Sequence, residues 1–376
     1  MKILFTGGGT AGHIYPIVAV LREMKKLDSS LEFFYVGPRD DFSEELLSKE
    51  GVKVKFITSG KIRRYLDLKS IFQNIVDILF KIPIGLFQAI FHILVINPDL
   101  IFSKGGYGSL PVVFSGWLTL IPIFLHESDI VPGLSNKIAS LFSLEIFVSF
   151  PAEQTGYFPA KKMISLGNPI RAEILEGSKE KAREIFNLSG EKPVILVIGG
   201  SQGSQRINDV ISFILPDLLK EFEVIHQTGI KNFREIEIES TTFIEKSLLR
   251  YYHIFPFLNE EQLKNAFAAA DLIISRAGSG AIFEIAAVGK PSILIPLPES
   301  AQNHQVRNAY AYAEKGATLV IEEENFTPSF FLERIRYIFS QPEKLKTMAE
   351  AAKLFSKPLA AKIIAQYLVD YLNQKV

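Results

Sequence analysis

Two glycine-rich turns, far apart in the chain, each follow a short uninterrupted apolar run. Residues 2–6 (KILFT) lead into Gly7-Gly8-Gly9-Thr10-Ala11-Gly12-His13, and residues 194–198 (VILVI) lead into Gly199-Gly200-Ser201-Gln202-Gly203-Ser204. An apolar run without alternation is the mark of a strand buried on both faces, as in a parallel sheet. A glycine turn at its end lets backbone N–H groups approach a ligand closely, above all where a helix starts next. Having this arrangement twice predicts two α/β domains, each a doubly wound parallel sheet, facing each other across a cleft. With 376 residues the chain is long for one core and sufficient for two of ordinary size.

The rest of the chain keeps the same rhythm. Strands are expected near 2–6, 32–36, 53–57, 99–103, 121–125, 145–149 and 163–166, with helical patterns such as 16–26 and 42–50 between them. The alternation restarts after Gly167-Asn168-Pro169-Ile170-Arg171, with strands near 194–198, 223–227, 251–255, 271–275, 291–295 and 317–321. The boundary is therefore expected at residue 169, giving domains 1–169 and 170–356. The helical pattern at 359–372 has no strand after it; it either caps the second sheet or crosses back to the first domain.

Composition narrows the function. Lys plus Arg and Asp plus Glu both number 41, so the basic field that non-specific nucleic-acid binding needs is missing, and no nucleic-acid partner is expected. The chain has no cysteine, which removes disulfides, thiolate catalysis and cysteine–zinc sites. Met1-Lys2 runs straight into a strand, so no secretory signal is visible. The hydrophobic fraction is 48%, and its excess is concentrated in residues 71–96. Asp77, Lys81, Pro83, Gly85, Gln88 and His92 interrupt that stretch. It reads as two buried core helices, as a surface dipping into one membrane leaflet or, less well, as a membrane-spanning helix. Lys53, Lys55, Lys61, Arg63, Arg64 and Lys69 just upstream suit anionic headgroups and favour the leaflet reading.

Several stretches carry chemistry. The first turn formally fits G-x-G-x-x-G, but the second strand ends in Gly37-Pro38-Arg39, without the acidic residue that would hold a ribose 2′-hydroxyl; a phosphorylated dinucleotide stays open on the strength of Arg39. His13 stands at the start of the following helix, whose positive end disfavours the imidazolium and helps keep the ring a base; capping of that helix is the alternative. The second turn offers backbone N–H groups and the Ser201 and Ser204 hydroxyls to a diphosphate. In Ser275-Arg276-Ala277-Gly278-Ser279-Gly280-Ala281-Ile282-Phe283-Glu284 a strand ends in small residues and a helix begins. Glu284 follows within it, and a carboxylate there can accept two hydrogen bonds from the vicinal hydroxyls of a ribose. The run from Gln302 to Asn308 supplies amides suited to sugar hydroxyls, with helix capping by Asn303 as the alternative. There is no D-x-D metal–nucleotide motif, P-loop, G-x-S-x-G elbow or H-E-x-x-H pair, so neither a metal nor a cofactor is expected.

Taken in order, these blocks resemble the MurG-type N-acetylglucosaminyltransferases over nearly the whole chain. The resemblance rests on Gly8 to His13 with Pro16, Gly105-Gly106-Tyr107, and His126-Glu127 leading to Gly133-Leu134-Ser135-Asn136-Lys137. It continues through Gly167 to Arg171, Gly199 to Gly203, Ser275 to Gly278 with Glu284, and His304-Gln305 with Asn308-Ala309. It implies a GT-B fold and inverting transfer of GlcNAc from UDP-GlcNAc to lipid I, undecaprenyl-diphospho-MurNAc-pentapeptide, giving lipid II. It also implies a peripheral position on the cytoplasmic face of the plasma membrane, and a C-terminal segment 357–376 that joins the N-terminal, acceptor-side domain. Carried over by position, Thr10, Ala11, Gly12, Asn136, Arg171, Ser201, Ile254, Ser279, Gly280, Ala281, Ile282, Phe283, Glu284 and Gln305 would contact the donor. Ile254 would offer backbone to the uracil and Glu284 would hold the ribose. His13 would be the base, with Gly9, Gly105, Gly106, Tyr107 and Glu127 near the acceptor diphosphate. Two acceptor-side continuations depart from the commonest family pattern: Gly108-Ser109-Leu110 and Ser128-Asp129. Another lipid acceptor, a UDP-sugar isomerase and a non-catalytic UDP-sugar sensor are the competing readings.

Overall fold

Among the described residues every strand is parallel to its neighbours, and the strands form two separate sheets, as the uninterrupted apolar runs require. The structure is a computed structural model describing residues 1–8, 11–61, 67–152, 154–200, 203–298 and 300–374, with backbone alone at 11, 68, 69 and 301. The chain divides into one unit of Met1–Arg171 with Pro358–Val376 and another of Ala172–Lys357.

The first unit holds β1 (Lys2–Thr6), β2 (Glu32–Pro38), β3 (Lys53–Ile57), β4 (Leu100–Ser103), β5 (Ile123–Glu127), β6 (Glu145–Val148) and β7 (Met163–Ser165). Their order is β3-β2-β1-β4-β5-β6-β7, so the winding reverses between β1 and β4. One face of the sheet is covered by helix Ala11–Leu27, through Ile14, Ile17, Leu21 and Met24, and by the final helix Ala360–Asn373, through Ile364 and Leu368. The other face is covered by Ala89 and Ile93, by Val112 and Val113, and by Ala139, from helices Ile82–Ile96, Leu110–Leu118 and Leu134–Phe142.

The 71–96 stretch is one continuous helix rather than two. An α-helical segment Leu68–Val76 runs through a wider π-type turn at Asp77–Lys81 into Ile82–Ile96. Pro83 cannot donate a backbone bond to the preceding turn, and the π turn falls where an ordinary turn would be broken. The span Ser70–Ile96 is long and apolar enough, by length and composition, to cross a membrane. However, Gly85, Ala89, Ile93 and Ile96 are buried, so one side of the helix belongs to the domain core. Its other side is not buried, which removes the reading as two core helices: Phe87 is 73% exposed, and Phe72, Leu79, Phe80, Phe91, Leu94 and Val95 are each more than half exposed. Leu120 and Leu141, beside the neighbouring helices, are also exposed. A contiguous apolar face of this kind is rare on a freely soluble surface.

The second unit holds β8 (Val194–Ile198), β9 (Glu223–Gln227), β10 (Tyr252–Phe255), β11 (Leu272–Ser275), β12 (Ser292–Leu294) and β13 (Thr318–Val320), in the order β10-β9-β8-β11-β12-β13. Here the winding reverses between β8 and β11. Helices Gln205–Glu221 and Pro328–Phe339 cover one face through Ile207, Ile211, Phe331 and Ile335. Ala182, Phe267, Ile282, Ile285, Tyr312 and Ala352 cover the other.

Candidate functional site

In an open parallel sheet the crevice for a ligand lies beyond the carboxyl ends of the strands, where the winding reverses. The two glycine turns leave β1 and β8, and the Gly105-Gly106-Tyr107 and Ser275 to Gly278 blocks leave β4 and β11. Four of the sequence blocks thus fall at the two reversal points. Two surface hollows, of about 330 Å³ beside Leu31 and Lys53 and about 270 Å³ beside Pro193 and Asp271, lie at the opposite, amino-terminal edges. They hold none of the motif residues.

In the first unit, Gly9 and Thr10 lie outside the described residues, and Ala11 begins the helix with its side chain undescribed. His13 sits in that helix's first turn. Its ring packs on the turn after β4: a Cβ placed on Gly106 would stand 3.3 Å from His13 Nε2 and 2.9 Å from Gly8 O. The loop beyond β1 and the loop beyond β4 are therefore in contact through glycine backbone. Gly105 has φ +87°, and a Cβ there would lie 2.0 Å from Asn136 Oδ1. We expect Gly105→Ala to cost about 2 kcal/mol or more through backbone strain and this clash. That lowers the first unit's melting temperature by roughly 4–8 °C in calorimetry.

Asn136 in turn donates from Nδ2 to Glu127 Oε2 at 2.8 Å, and Glu127 Oε1 accepts from the Asp129 N–H at 2.9 Å. The resemblance places Asn136 with the donor and Glu127 with the acceptor; the fold joins them as one pair. Glu127 is buried, and burial first, then Asp129, push its carboxyl well above the ordinary range, while Lys104 opposes them. His126 is buried with Nε2 3.2 Å from Gly167 O, and burial holds it neutral. Ser128 Oγ donates to Asn168 Oδ1 at 2.7 Å, so the Gly167-Asn168 block braces the His126-Glu127 block. Arg171, 5% exposed, stacks its guanidinium 4.1 Å above the Tyr15 ring. Tyr107, itself half-buried, opens a single turn directly after Gly106 whose Gly108 and Ser109 are buried.

In the second unit, Ser201 and Gln202 lie outside the described residues. Gly203 has φ +77°, and a Cβ there would meet Thr228 O at 2.0 Å. Ser204 caps helix Gln205–Glu221, its Oγ accepting from Ile207 N at 3.4 Å. Helix Ser279–Val288 has Gly278 at its N-cap, which has no side chain to cap the first N–H groups. Those of Ser279, Gly280 and Ala281 face outward along the axis, whereas Ile282 N is bonded to Gly278 O at 3.1 Å. Ile282 and Phe283 bury their side chains in the core. Glu284, in the same helix, is half-buried.

Thr228 N donates to Phe255 O at 3.0 Å, so strand alternation directs the N–H and C=O of Ile254 off the open edge of β10. Gln305 Oε1 accepts from Leu297 N at 3.1 Å and its backbone N–H donates to Ser300 Oγ. Asn303 does not cap through its side chain; Gln302 and Asn303 are both left-handed, at φ 58° and 54°. Two such residues in a row mark a turn held in a costly conformation, a frequent companion of binding sites. Arg276 pairs with Glu323 and donates to Ile295 O. Among the described residues, no three His, Asp or Glu side chains gather as metal ligands.

The glycosyltransferase family 28 N-terminal domain matches residues 3–148 and the family 28 C-terminal domain matches residues 194–364. A curated relative from Bacillus cereus, the UDP-N-acetylglucosamine–N-acetylmuramyl-(pentapeptide) pyrophosphoryl-undecaprenol N-acetylglucosamine transferase 2, is 38% identical over 98% of this chain and 99% of its own length. The chain belongs to this transferase family, the MurG family. A second member, from Clostridium tetani, is 36% identical over 93% of this chain and 94% of its own. Among solved structures, Acinetobacter baumannii MurG matches with a TM-score of 0.72 and 23% identity, covering 98% of this chain and 99% of that one. The fold is therefore the MurG-family GT-B arrangement of two Rossmann-like domains. A Neisseria meningitidis UDP-GlcNAc 2-epimerase shares the fold as well, with a TM-score of 0.67 and 15% identity over 98% of this chain and 100% of its own.

Proposed function

We propose that this MurG-family chain transfers GlcNAc from UDP-GlcNAc to the muramoyl 4-hydroxyl of lipid I, giving lipid II for peptidoglycan, with inversion at the anomeric carbon. The observation that carries this reading is the near-full-length match to transferases of that specificity, combined with ligand-ready turns at both winding reversals. His13 takes the proton as the hydroxyl attacks. Gly9, Gly105, Gly106, Tyr107 and Glu127 form the acceptor side. Ser201 and the first N–H groups of helix Ser279–Val288 stabilise the departing diphosphate, which needs donors aimed where charge develops. Ile254 offers backbone to the uracil, Glu284 holds the ribose, and Thr10, Ala11, Gly12, Asn136, Arg171 and Gln305 complete the donor set.

Mass analysis of products tests the reading. Lipid I with UDP-GlcNAc is expected to give lipid II, diacylglycerol to give no glycolipid, and UDP-GlcNAc alone to give no 2-epimer. Glycosylated diacylglycerol at a matching rate, or acceptor-free epimerisation, would overturn it.

The acceptor's lipid requires an approach to a bilayer, and the apolar face of Ser70–Ile96 suits peripheral attachment to the cytoplasmic leaflet. Lys61 is exposed beside it and Lys81 is half-buried and paired with Asp77, while Arg63 and Arg64 lie outside the described residues. Burying one Phe is worth roughly 1.5–3 kcal/mol, so exchanging Phe87 and Phe91 together for Glu should weaken binding to anionic vesicles at least tenfold. Co-sedimentation measures this; unchanged binding would remove the face from the membrane.

A further inference from the structure

A lysine is buried where the first sheet's winding reverses. Lys104 directly follows β4, is 2% exposed, and its backbone N–H donates to Thr6 O at 2.8 Å. Its Cβ would stand 3.3 Å from a Cβ placed on Gly7, so it lies directly under the first glycine turn. The ammonium donates to Ser128 Oγ, and Glu127 and Asp129 are the carboxylates that act on it. Taking an ammonium out of water costs several kcal/mol, and packed apolar side chains of the same volume are often at least as stabilising. A buried cation beneath a ligand-binding turn therefore calls for a reason beyond stability.

That reason lies in what Glu127 must do. Its Oε1 accepts from Asp129 N–H and its Oε2 accepts from Asn136 Nδ2, which sets Asn136 Oδ1 against Gly105. Both bonds need acceptor oxygens, and a protonated carboxyl gives one of them up. We propose that Lys104 is a positioning residue of the acceptor site: seated under the Gly7 turn and bonded to Ser128, it steadies the adjacent Glu127, whose two oxygens hold Asn136 and the Gly105–Gly106 turn in register beside His13. This rests on the transfer reading above.

The groups facing Glu127 are Lys104 after β4, Asp129 and neutral His126 on its own segment, and Asn136 on helix Leu134–Phe142. Burial and Asp129 favour the protonated carboxyl; Lys104 alone among the charges favours the carboxylate. The sign of each substitution follows. Removing the cation raises the pH at which Glu127 ionises, and removing the Asp129 charge lowers it.

The test is the pH profile of kcat/KM for lipid I, with the full chain and saturating UDP-GlcNAc. Lys104→Met should move the acidic limb up by about one pH unit, which is a tenfold loss below the limb. Donor KM should stay within about twofold. Asp129→Asn, nearly isosteric, should move the limb the opposite way, and adding it to Lys104→Met should bring the limb back. Should Lys104→Met fail to fold, the Asp129→Asn shift and the double variant carry the same test. A limb that stays in place in these variants, or donor and acceptor KM rising together, would reduce Lys104 to a structural residue. Wild-type chain that fails to glycosylate lipid I at every pH would remove the transfer reading itself, and this inference with it.

Discussion

His13→Ala is expected to lower kcat by about 10²–10⁴, the range that a positioned general base contributes. The dissociation constant for UDP should change less than twofold, because the imidazole belongs to the first unit and the proposed uridine diphosphate contacts come mainly from the second. The ring packs on the Gly106 turn, with a would-be Gly106 Cβ only 3.3 Å from Nε2, so the base is held by backbone that has no side chain to move. Stopped-time assays with UDP binding by calorimetry separate the two quantities. Wild-type turnover in the variant would remove His13 from proton transfer.

The second large effect concerns the donor. Glu284→Ala is expected to raise the donor KM about a hundredfold, since hydrogen bonds to a charged group are worth about 1.5–3 kcal/mol each and a ribose offers two hydroxyls. Glu284→Gln should lose less, keeping one acceptor. A 2′-deoxyuridine donor distinguishes this role from general destabilisation, because wild type and Glu284→Ala should then differ much less in KM. Equal KM values for wild type and variant with the natural donor would take Glu284 away from the ribose.

Much of the fold was legible because strands buried on both faces leave no alternation to misread. Ile3-Leu4-Phe5 and Ile195-Leu196-Val197 are fully buried and sit at the winding reversals, so the glycine turns after them were placed by position alone. The 71–96 stretch misled because Pro83 and Gly85 read as breaks. A π turn and a close approach of Gly85 to Thr58 O accommodate them within one helix. Side-chain roles were less legible where they depend on distant segments. Nothing local says that Asn136 packs on Gly105, that Ser204 caps the following helix, or that Ile282 and Phe283 turn into the core. Lys104 was invisible for the opposite reason: a lysine reads as solvated by default, and only the fold puts Ser128 and two carboxylates around it.

The most direct test measures UDP release from UDP-GlcNAc, with lipid I in vesicles and without it. The expected result is rapid release that requires lipid I and stops in His13→Ala. Release at the same rate without any acceptor, or none with lipid I present, would contradict a transferase that couples donor cleavage to attack by a lipid-borne hydroxyl.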